Sequence, residues 1–307
     1  MLIEEELSRV KPERETALTI GVFDGVHQGH QSLIAKLNQK AAAEGLDSGV
    51  VTFQHHPRLV IKPHSQITRL TSLQERITLL ERIGVKHVVP LSFTPDISQL
   101  SAREFVELLR RYLRVRALVI GPDFALGSGK KGDAPALTAL GEELNFTVEV
   151  VPPVVLNGEA VSSTAIRNAL AEGDVKKAGE FLGRHFSLKG QVSKGDSRGK
   201  TLGFPTANIV PEQGQALPAD GVYAVRVHVD DRTYHAVANI GLRPTFGSEE
   251  RLLETHLLGF NGDLYGQEIE IEFIDRLRDE IRFPGAEELK SQMARDAERA
   301  GELLDHL

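Results

Sequence analysis

Hydrophobic residues follow two rhythms along the chain, and the change from one to the other falls near residue 183. In the first stretch, short apolar runs at residues 17–20, 50–53, 87–91, 117–120 and 146–151 read as strands. Between them apolar positions recur at helical spacing: Leu33, Ile34, Leu37 and Ala41; Leu73, Ile77 and Leu80; Phe105, Leu108, Leu109 and Tyr112; and a shorter segment over 136–144. Strands alternating with helices give a parallel sheet covered on both faces, so an α/β Rossmann-like domain is predicted. Residues 169–182, interrupted at Gly173-Asp174, close it as two short helices. After Gly183-Arg184-His185 the period is two: a strand opens over 187–192, Tyr223, Val225, Val227 and Val229 share a face, and Ile269, Ile271 and Phe273 alternate with Glu268, Glu270 and Glu272. Such strands predict a small antiparallel β-barrel. The stripe Leu289, Met293, Ala297, Ala300 and Leu304 predicts a C-terminal helix packed on it. The predicted domains are residues 1–183 and 184–307.

Composition narrows the functional classes. With 41% hydrophobic and 26% charged residues the chain is of ordinary globular type. A net charge of −7 argues against a nucleic-acid or membrane-surface partner, which would require a basic face. There is no cysteine, so disulfides, thiolate catalysis and zinc-thiolate sites are excluded. The opening residues 1–15 read as polar and acidic, without the apolar core of a signal peptide, and the apolar stretch 150–156 is too short to span a bilayer. A cytoplasmic enzyme is expected.

The richest stretch is Gly21-Val22-Phe23-Asp24-Gly25-Val26-His27-Gln28-Gly29-His30, between the first strand and the first helix. A glycine turn there, at the carboxyl end of a parallel strand, leads into a helix whose free N–H groups face the ligand crevice, which makes it a phosphate site. His27 and His30, three apart in the first turn, share a face. Taken alone the pair is equally compatible with a solvated loop or a metal site. Histidine-x-glycine-histidine at such a turn resembles the signature of nucleotidyltransferases that move AMP from ATP. There, imidazoles hydrogen-bond the phosphate chain as charge builds on it. The longer stretch, with Gly21, Phe23, Asp24 and Gly25, is similar to that of the bacterial-type bifunctional riboflavin kinase/FAD synthetase family.

Three more loops fall at strand ends. His56, Pro57 and Arg58 are placed to meet phosphate or flavin, or form a solvated turn. Gly121-Pro122-Asp123-Phe124 precedes a flexible glycine loop over 127–133 that carries Lys130 and Lys131. Ser162-Ser163-Thr164-Ala165-Ile166-Arg167 is either a helix cap or a pyrophosphate site in which Arg167 supplies a fixed cation. The FAD synthetase module shows this same Ser-Ser-Thr-x-Ile-Arg pattern.

In the second domain Gly195-Asp196-Ser197-Arg198-Gly199-Lys200 runs on to Phe204-Pro205-Thr206-Ala207-Asn208. The Walker spacing is absent. Glycines here admit a phosphate chain, Arg198 and Lys200 bring cations, and Thr206 and Asn208, two apart, aim two oxygens at one hard cation such as Mg²⁺. The Pro-Thr-Ala-Asn ending resembles the riboflavin kinase signature. Residues 239–246, including Arg243, read as a loop closing over flavin, and Glu254-Thr255-His256 opens an apolar strand.

What the family resemblance implies is sequential chemistry: riboflavin is phosphorylated by ATP to FMN, and FMN is then adenylylated by a second ATP to FAD with release of pyrophosphate. Residues 1–183 would be the FMN adenylyltransferase and 184–307 the riboflavin kinase. Catalytic roles fall on Glu254, His27 and His30. ATP contacts fall on Gly21, Phe23, Asp24, Gly25, His27, His30, Asp123, Ser163, Thr164 and Arg167 in one half and on Gly195, Arg198 and Lys200 in the other. Flavin contacts fall on His56, Pro57, Arg58, Asp123, Phe124, Arg243, Glu254 and His256, and Mg²⁺ on Thr206 and Asn208. The chain departs from the family pattern at His55, where a proline is common, at Ala125-Leu126, where Arg-Phe is common, and at Gly259, where an aspartate is common. A kinase with an impaired adenylyltransferase half, or a flavin or nucleotide sensor without catalysis, are the alternatives.

Overall fold

The computed structural model describes residues 2–62, 64–65, 67–193, 204–245 and 248–306, with backbone alone at 243–245 and 248–250. Contacts divide the chain into two compact units, Met1–Ser163 and Thr164–Leu307.

The first unit runs α1 (Leu2–Ser8), β1 (Thr16–Gly21), α2 (Gln28–Glu44), β2 (Asp47–Phe53), α3 (Pro57–Ile61), α4 (Leu73–Arg82), β3 (His87–Leu91), α5 (Pro95–Gln99), α6 (Ala102–Leu113), β4 (Val115–Ile120), a 3-10 turn (Ser128–Lys130), α7 (Ala134–Leu144), β5 (Thr147–Val150) and the short pair β6 (Val155–Leu156) and β7 (Glu159–Ala160). Strands β3-β2-β1-β4-β5 form one sheet, parallel throughout. Alternate side chains leave it on opposite faces. Ala17, Ala117 and Val119 join Ile34, Leu37 and Ala41 of α2 and Leu80 of α4 in one apolar layer. Leu18, Ile20, Leu118 and Ile120 join Phe105, Val106, Leu109 and Leu113 of α6 in the other. Double coverage makes β2 buried along all of its length, as a central parallel strand requires.

Two local features depart from expectation. The acidic amino-terminal stretch holds a helix, α1, which sends Ile3 and Leu7 into the core. Its buried Glu6 accepts hydrogen bonds from Ser92 N–H (2.9 Å), Ser92 Oγ (2.7 Å) and Gln54 Nε2 (3.3 Å). Two apolar residues four apart are too few to register as a period. The 127–133 loop, expected to be flexible, is pinned: Leu126 and Gly132 exchange two backbone hydrogen bonds of 2.9 Å, and Ser128 N–H donates to Leu100 O. A Cβ on Gly127 would stand 2.4 Å from the backbone nitrogen of Ala102, so only glycine lets this loop lie on the start of α6.

Helix α8 (Ser163–Glu172) leads into the second unit, followed by α9 (Val175–Leu182), β8 (Phe186–Ser193), β9 (Ala207–Pro211), β10 (Gly221–Val229), β11 (Arg232–Thr245), β12 (Ser248–Leu257), β13 (Glu268–Arg278) and α10 (Ala286–Asp305). The six strands close into an antiparallel barrel in the order β10-β11-β12-β9-β8-β13. Tyr223, Val225, Val227, Ile269, Ile271 and Phe273 are all buried, as their period-two spacing predicts. Helix α10 covers Val222, Ala224 and Ile274 with Ala300 and Leu304. The Ala300 and Leu304 end of the stripe therefore packs on the barrel, while Leu289, Met293 and Ala297 are half-buried, and Asp296 adds an ion pair with Arg278 at 2.8 Å. Residues 239–245, expected to be a loop, continue β11 because they pair with 248–254 of β12.

Candidate active sites

The strand order of the first unit reverses between β1 and β4, and the crevice beyond the carboxyl ends of those strands is where open α/β sheets hold ligands. The Gly21–His30 signature occupies that position after β1. It is a strained turn: Phe23 (φ 53°) and Val26 (φ 41°) both sit in the left-handed region, which a β-branched residue rarely enters. Such strain persists only where the surroundings fix it. Asp24, 4% exposed, does much of the fixing. Its carboxylate accepts from the backbone N–H of Leu70 (2.9 and 3.0 Å) and of Thr71 (3.1 Å), and Thr71 Oγ1 in turn accepts from Gly25 N–H (3.0 Å).

His27 caps α2: its Nδ1 accepts from His30 N–H at 3.3 Å, which places the ring proton on Nε2 and makes that nitrogen a donor. The His30 ring stacks on it at 3.6 Å between centroids and 17° between planes. Phe23 flanks His30 at 5.0 Å. Burial first, then His27 and Arg76, lower the His30 pKa well below its ordinary value, so the stack is held without positive charge on His30. A Cβ on Gly29 would stand 3.2 Å from the His27 ring and 3.3 Å from Val161 O, so glycine keeps the stack and its neighbour in place. Ser163 joins this turn, since its Oγ donates to Asp24 O at 2.9 Å.

The remaining assigned residues of this half are distributed as follows. His56 caps α3, its Nδ1 accepting from Arg58 N–H at 3.1 Å, with Pro57 in the first turn and Arg58 exposed. Asp123 is exposed after β4, while Phe124 packs against the apolar layer beneath α6. Thr164 is exposed and Arg167 half-buried on α8.

In the barrel, register sets a polar row. Asn239 of β11 stands opposite Glu254 of β12, Glu254 opposite Asn208 of β9, and Asn208 opposite Ser193 of β8. Directly opposed residues share a face, and their Cβ atoms lie about 4.5–5.5 Å apart. The alternate residues Ala238, Ile240, Leu253, Thr255 and Ile209 are buried in the barrel, so this row lies on its outer face. Thr206, two residues before Asn208, lies just ahead of β9 and is half-buried. His256 Nδ1 lies 2.8 Å from Pro205 O and its ring meets Phe204 edge-on. Glu254 thus falls in mid-strand, with its position fixed on both sides by the ladder. Gly195, Arg198 and Lys200 lie outside the described residues, as does the side chain of Arg243. Among the described residues no group of three or more His, Asp or Glu forms a metal cluster.

Pattern reading missed Arg76 and Glu6, and placed Asn239 in a loop over flavin rather than beside Glu254. Arg76 carried a signal: it stands three after Leu73 and four before Leu80, on the apolar face of α4, where a charge is out of place.

A family model described as FAD synthetase matches residues 10–165, and one described as riboflavin kinase matches residues 182–304. The bifunctional riboflavin kinase/FMN adenylyltransferase of Escherichia coli K12 is 39% identical over 295 residues, covering 95% of this chain and 94% of the relative. This chain belongs to the bifunctional riboflavin kinase/FMN adenylyltransferase family. The Haemophilus influenzae member of that family is 40% identical, with 92% of each chain covered, and the Bacillus subtilis member 35% identical over 97% of this chain and 94% of the relative. Among solved structures, a Streptococcus pneumoniae protein described as a macrolide-efflux protein superposes with a TM-score of 0.89 at 34% identity, covering 95% of both chains. Its name is not carried over: among the described residues no helix is long and apolar enough to cross a membrane.

Proposed function

We infer that the chain phosphorylates riboflavin with ATP to give FMN and ADP, and adenylylates FMN with a second ATP to give FAD and pyrophosphate. The observation that carries this is the retention of both sets of chemistry-bearing side chains: the stacked His27 and His30 at the start of α2, and Glu254 beside Asn208 on the barrel. In the kinase step Glu254 takes the proton of riboflavin's terminal ribityl hydroxyl as that oxygen attacks the γ-phosphorus. Thr206 and Asn208 offer neutral oxygens and Glu254 a carboxylate next to them, an all-oxygen set that fits Mg²⁺. When bound there, Mg²⁺ neutralises charge on the phosphate chain.

In the adenylyl step a phosphate oxygen of FMN attacks the α-phosphorus of ATP, and the bond to pyrophosphate breaks. The Nε2–H of His27 donates to the phosphate chain, His30 backs it through the stack, and the N–H groups at the start of α2 face the developing charge. Ser163, Thr164 and Arg167 are assigned to the leaving pyrophosphate, and Asp123 and Phe124 to the nucleotide and flavin by resemblance. Asp24 supports the site from behind through its backbone anchors. We further place the functional division at residues 1–183 and 184–307 and the enzyme in the cytoplasm.

Purified protein incubated with riboflavin, ATP and Mg²⁺, with the flavins separated by chromatography, tests the whole proposal: FMN appears first and FAD follows. FMN as the final product would point to the Ala125-Leu126 departure and a kinase alone. That outcome, and a sensor without turnover, are disfavoured by the family and by the intact histidine pair.

A further inference from the structure

Arg76 is 4% exposed, on the inward face of α4. One terminal nitrogen, Nη1, donates to Phe53 O (2.8 Å) and to Thr52 Oγ1 (3.2 Å), and Thr52 Oγ1 donates onward to Val22 O (2.9 Å). A continuous chain of hydrogen bonds therefore runs from α4 across the end of β2 into the second residue of the signature turn. The Nε–H of Arg76 is buried without a hydrogen-bond partner among the described residues. Leaving a buried charged donor unpaired costs stability that an apolar residue at this core-spaced position would avoid. Its retention calls for a role other than packing.

We propose that Arg76 is a positioning residue for adenylyl transfer, which ties the histidine turn to the sheet through Thr52 and sets a fixed cation behind His30. This rests on the assignment of adenylyl transfer to the His27/His30 turn. Among the described residues, the charged and titratable groups that act on His30 are His27, stacked on it from the cap of α2, and Arg76, from α4. Arg76 itself feels the Asp24 carboxylate of the turn, Arg69 before α4 and Glu75 beside it. The guanidinium is electrostatically felt by His30 and disfavours its protonation, adding to the effect of burial. A neutral His30 can stack on His27 and leave the site's donors to the incoming phosphates. The cation also remains near the turn when the α-phosphate gains charge.

The test uses the full-length enzyme, with histidine ring nitrogens labelled and the His30 signal assigned by its loss in His30→Ala. In Arg76→Met, His30 should titrate at higher pH than in the wild type, FAD formation from FMN should fall about 10- to 100-fold, and FMN formation from riboflavin should stay within about twofold. Arg76→Lys, which keeps the charge, should restore the wild-type titration. Loss of FAD formation with an unmoved His30 titration would reduce Arg76 to a structural role and overturn the proposal, as would wild-type behaviour in both readouts. If Arg76→Met does not fold, Thr52→Val breaks the same chain of hydrogen bonds: reduced FAD formation with unchanged FMN formation supports the tie, and unchanged FAD formation overturns it. Retained adenylyl transfer in His30→Ala would instead bring down the site assignment itself.

Discussion

Glu254 stands directly opposite Asn208 in the ladder between β12 and β9, so a carboxylate and an amide are held side by side by backbone register. Strand pairing on both sides of Glu254 leaves its backbone little freedom. Glu254→Gln preserves shape and removes the carboxylate proposed as the base. FMN formation should fall by about 10²- to 10⁴-fold, while FAD formation from supplied FMN remains. Chromatographic assay of both steps checks this, and loss of both would break the separation of the two activities.

Asn208→Ala removes one neutral oxygen from the same pair. The free Mg²⁺ needed for half-maximal FMN formation should rise by about tenfold or more, and the Mg²⁺ dependence of FAD formation should not move. Rate measured against free Mg²⁺ decides it. An unchanged requirement in the kinase step would remove Asn208 from the metal set.

The cap that His27 forms and the donation proposed for it can be separated. Asparagine is a preferred cap, so His27→Asn should keep unfolding free energy within about 0.5 kcal/mol of wild type while FAD formation falls about 10²-fold or more. His27→Ala should lose the cap as well, at a cost of about 1 kcal/mol. Urea unfolding alongside the FAD assay distinguishes them.

Asp24→Ala leaves the N–H groups of Leu70 and Thr71 buried without their carboxylate acceptor. Destabilisation of about 2–3 kcal/mol is expected, with FAD formation lost as the strained turn relaxes. Denaturant midpoints of the mutant and wild type give the answer; a neutral effect on stability would mean that Asp24 serves ATP rather than the turn.

His30 also sets a pH dependence. Its folded pKa lies below its ordinary value of 6.5, so the unfolded chain binds the proton first as pH falls. The stability associated with the neutral ring is fully present above about 6.5 and is lost as pH drops toward the folded pKa. His30→Gln should therefore lose less stability than wild type between about pH 7.5 and about pH 5.5. Equal losses in chemical unfolding would show that the ring is not held neutral.

Much of this was legible in the chain because parallel strands buried on both faces are continuous apolar runs, and barrel strands alternate. The 17–20 run and the Tyr223-to-Val229 alternation both became what their period implies. Helix α1 escaped because seven residues with two core contacts make no period. Residues 239–245 escaped because their strand character comes from a partner strand, not from their own pattern. At the site, the histidines and glycines were visible as a motif, but the residues behind them were not. Asp24 anchors the turn through Leu70 and Thr71, and Arg76 is tied to the turn through Thr52. Sequence spacing carries no record of contacts made by such separated segments.

The 46-residue separation between Asp24 and Leu70 has a consequence for how the protein comes into being. The glycines, both histidines and the whole of α2 are synthesised before the residues whose N–H groups anchor Asp24, between the strained Phe23 and Val26, have been made. Closing so long a segment must wait until Leu70 and Thr71 are available. The growing chain therefore carries the motif for a time without the anchors that hold its turn.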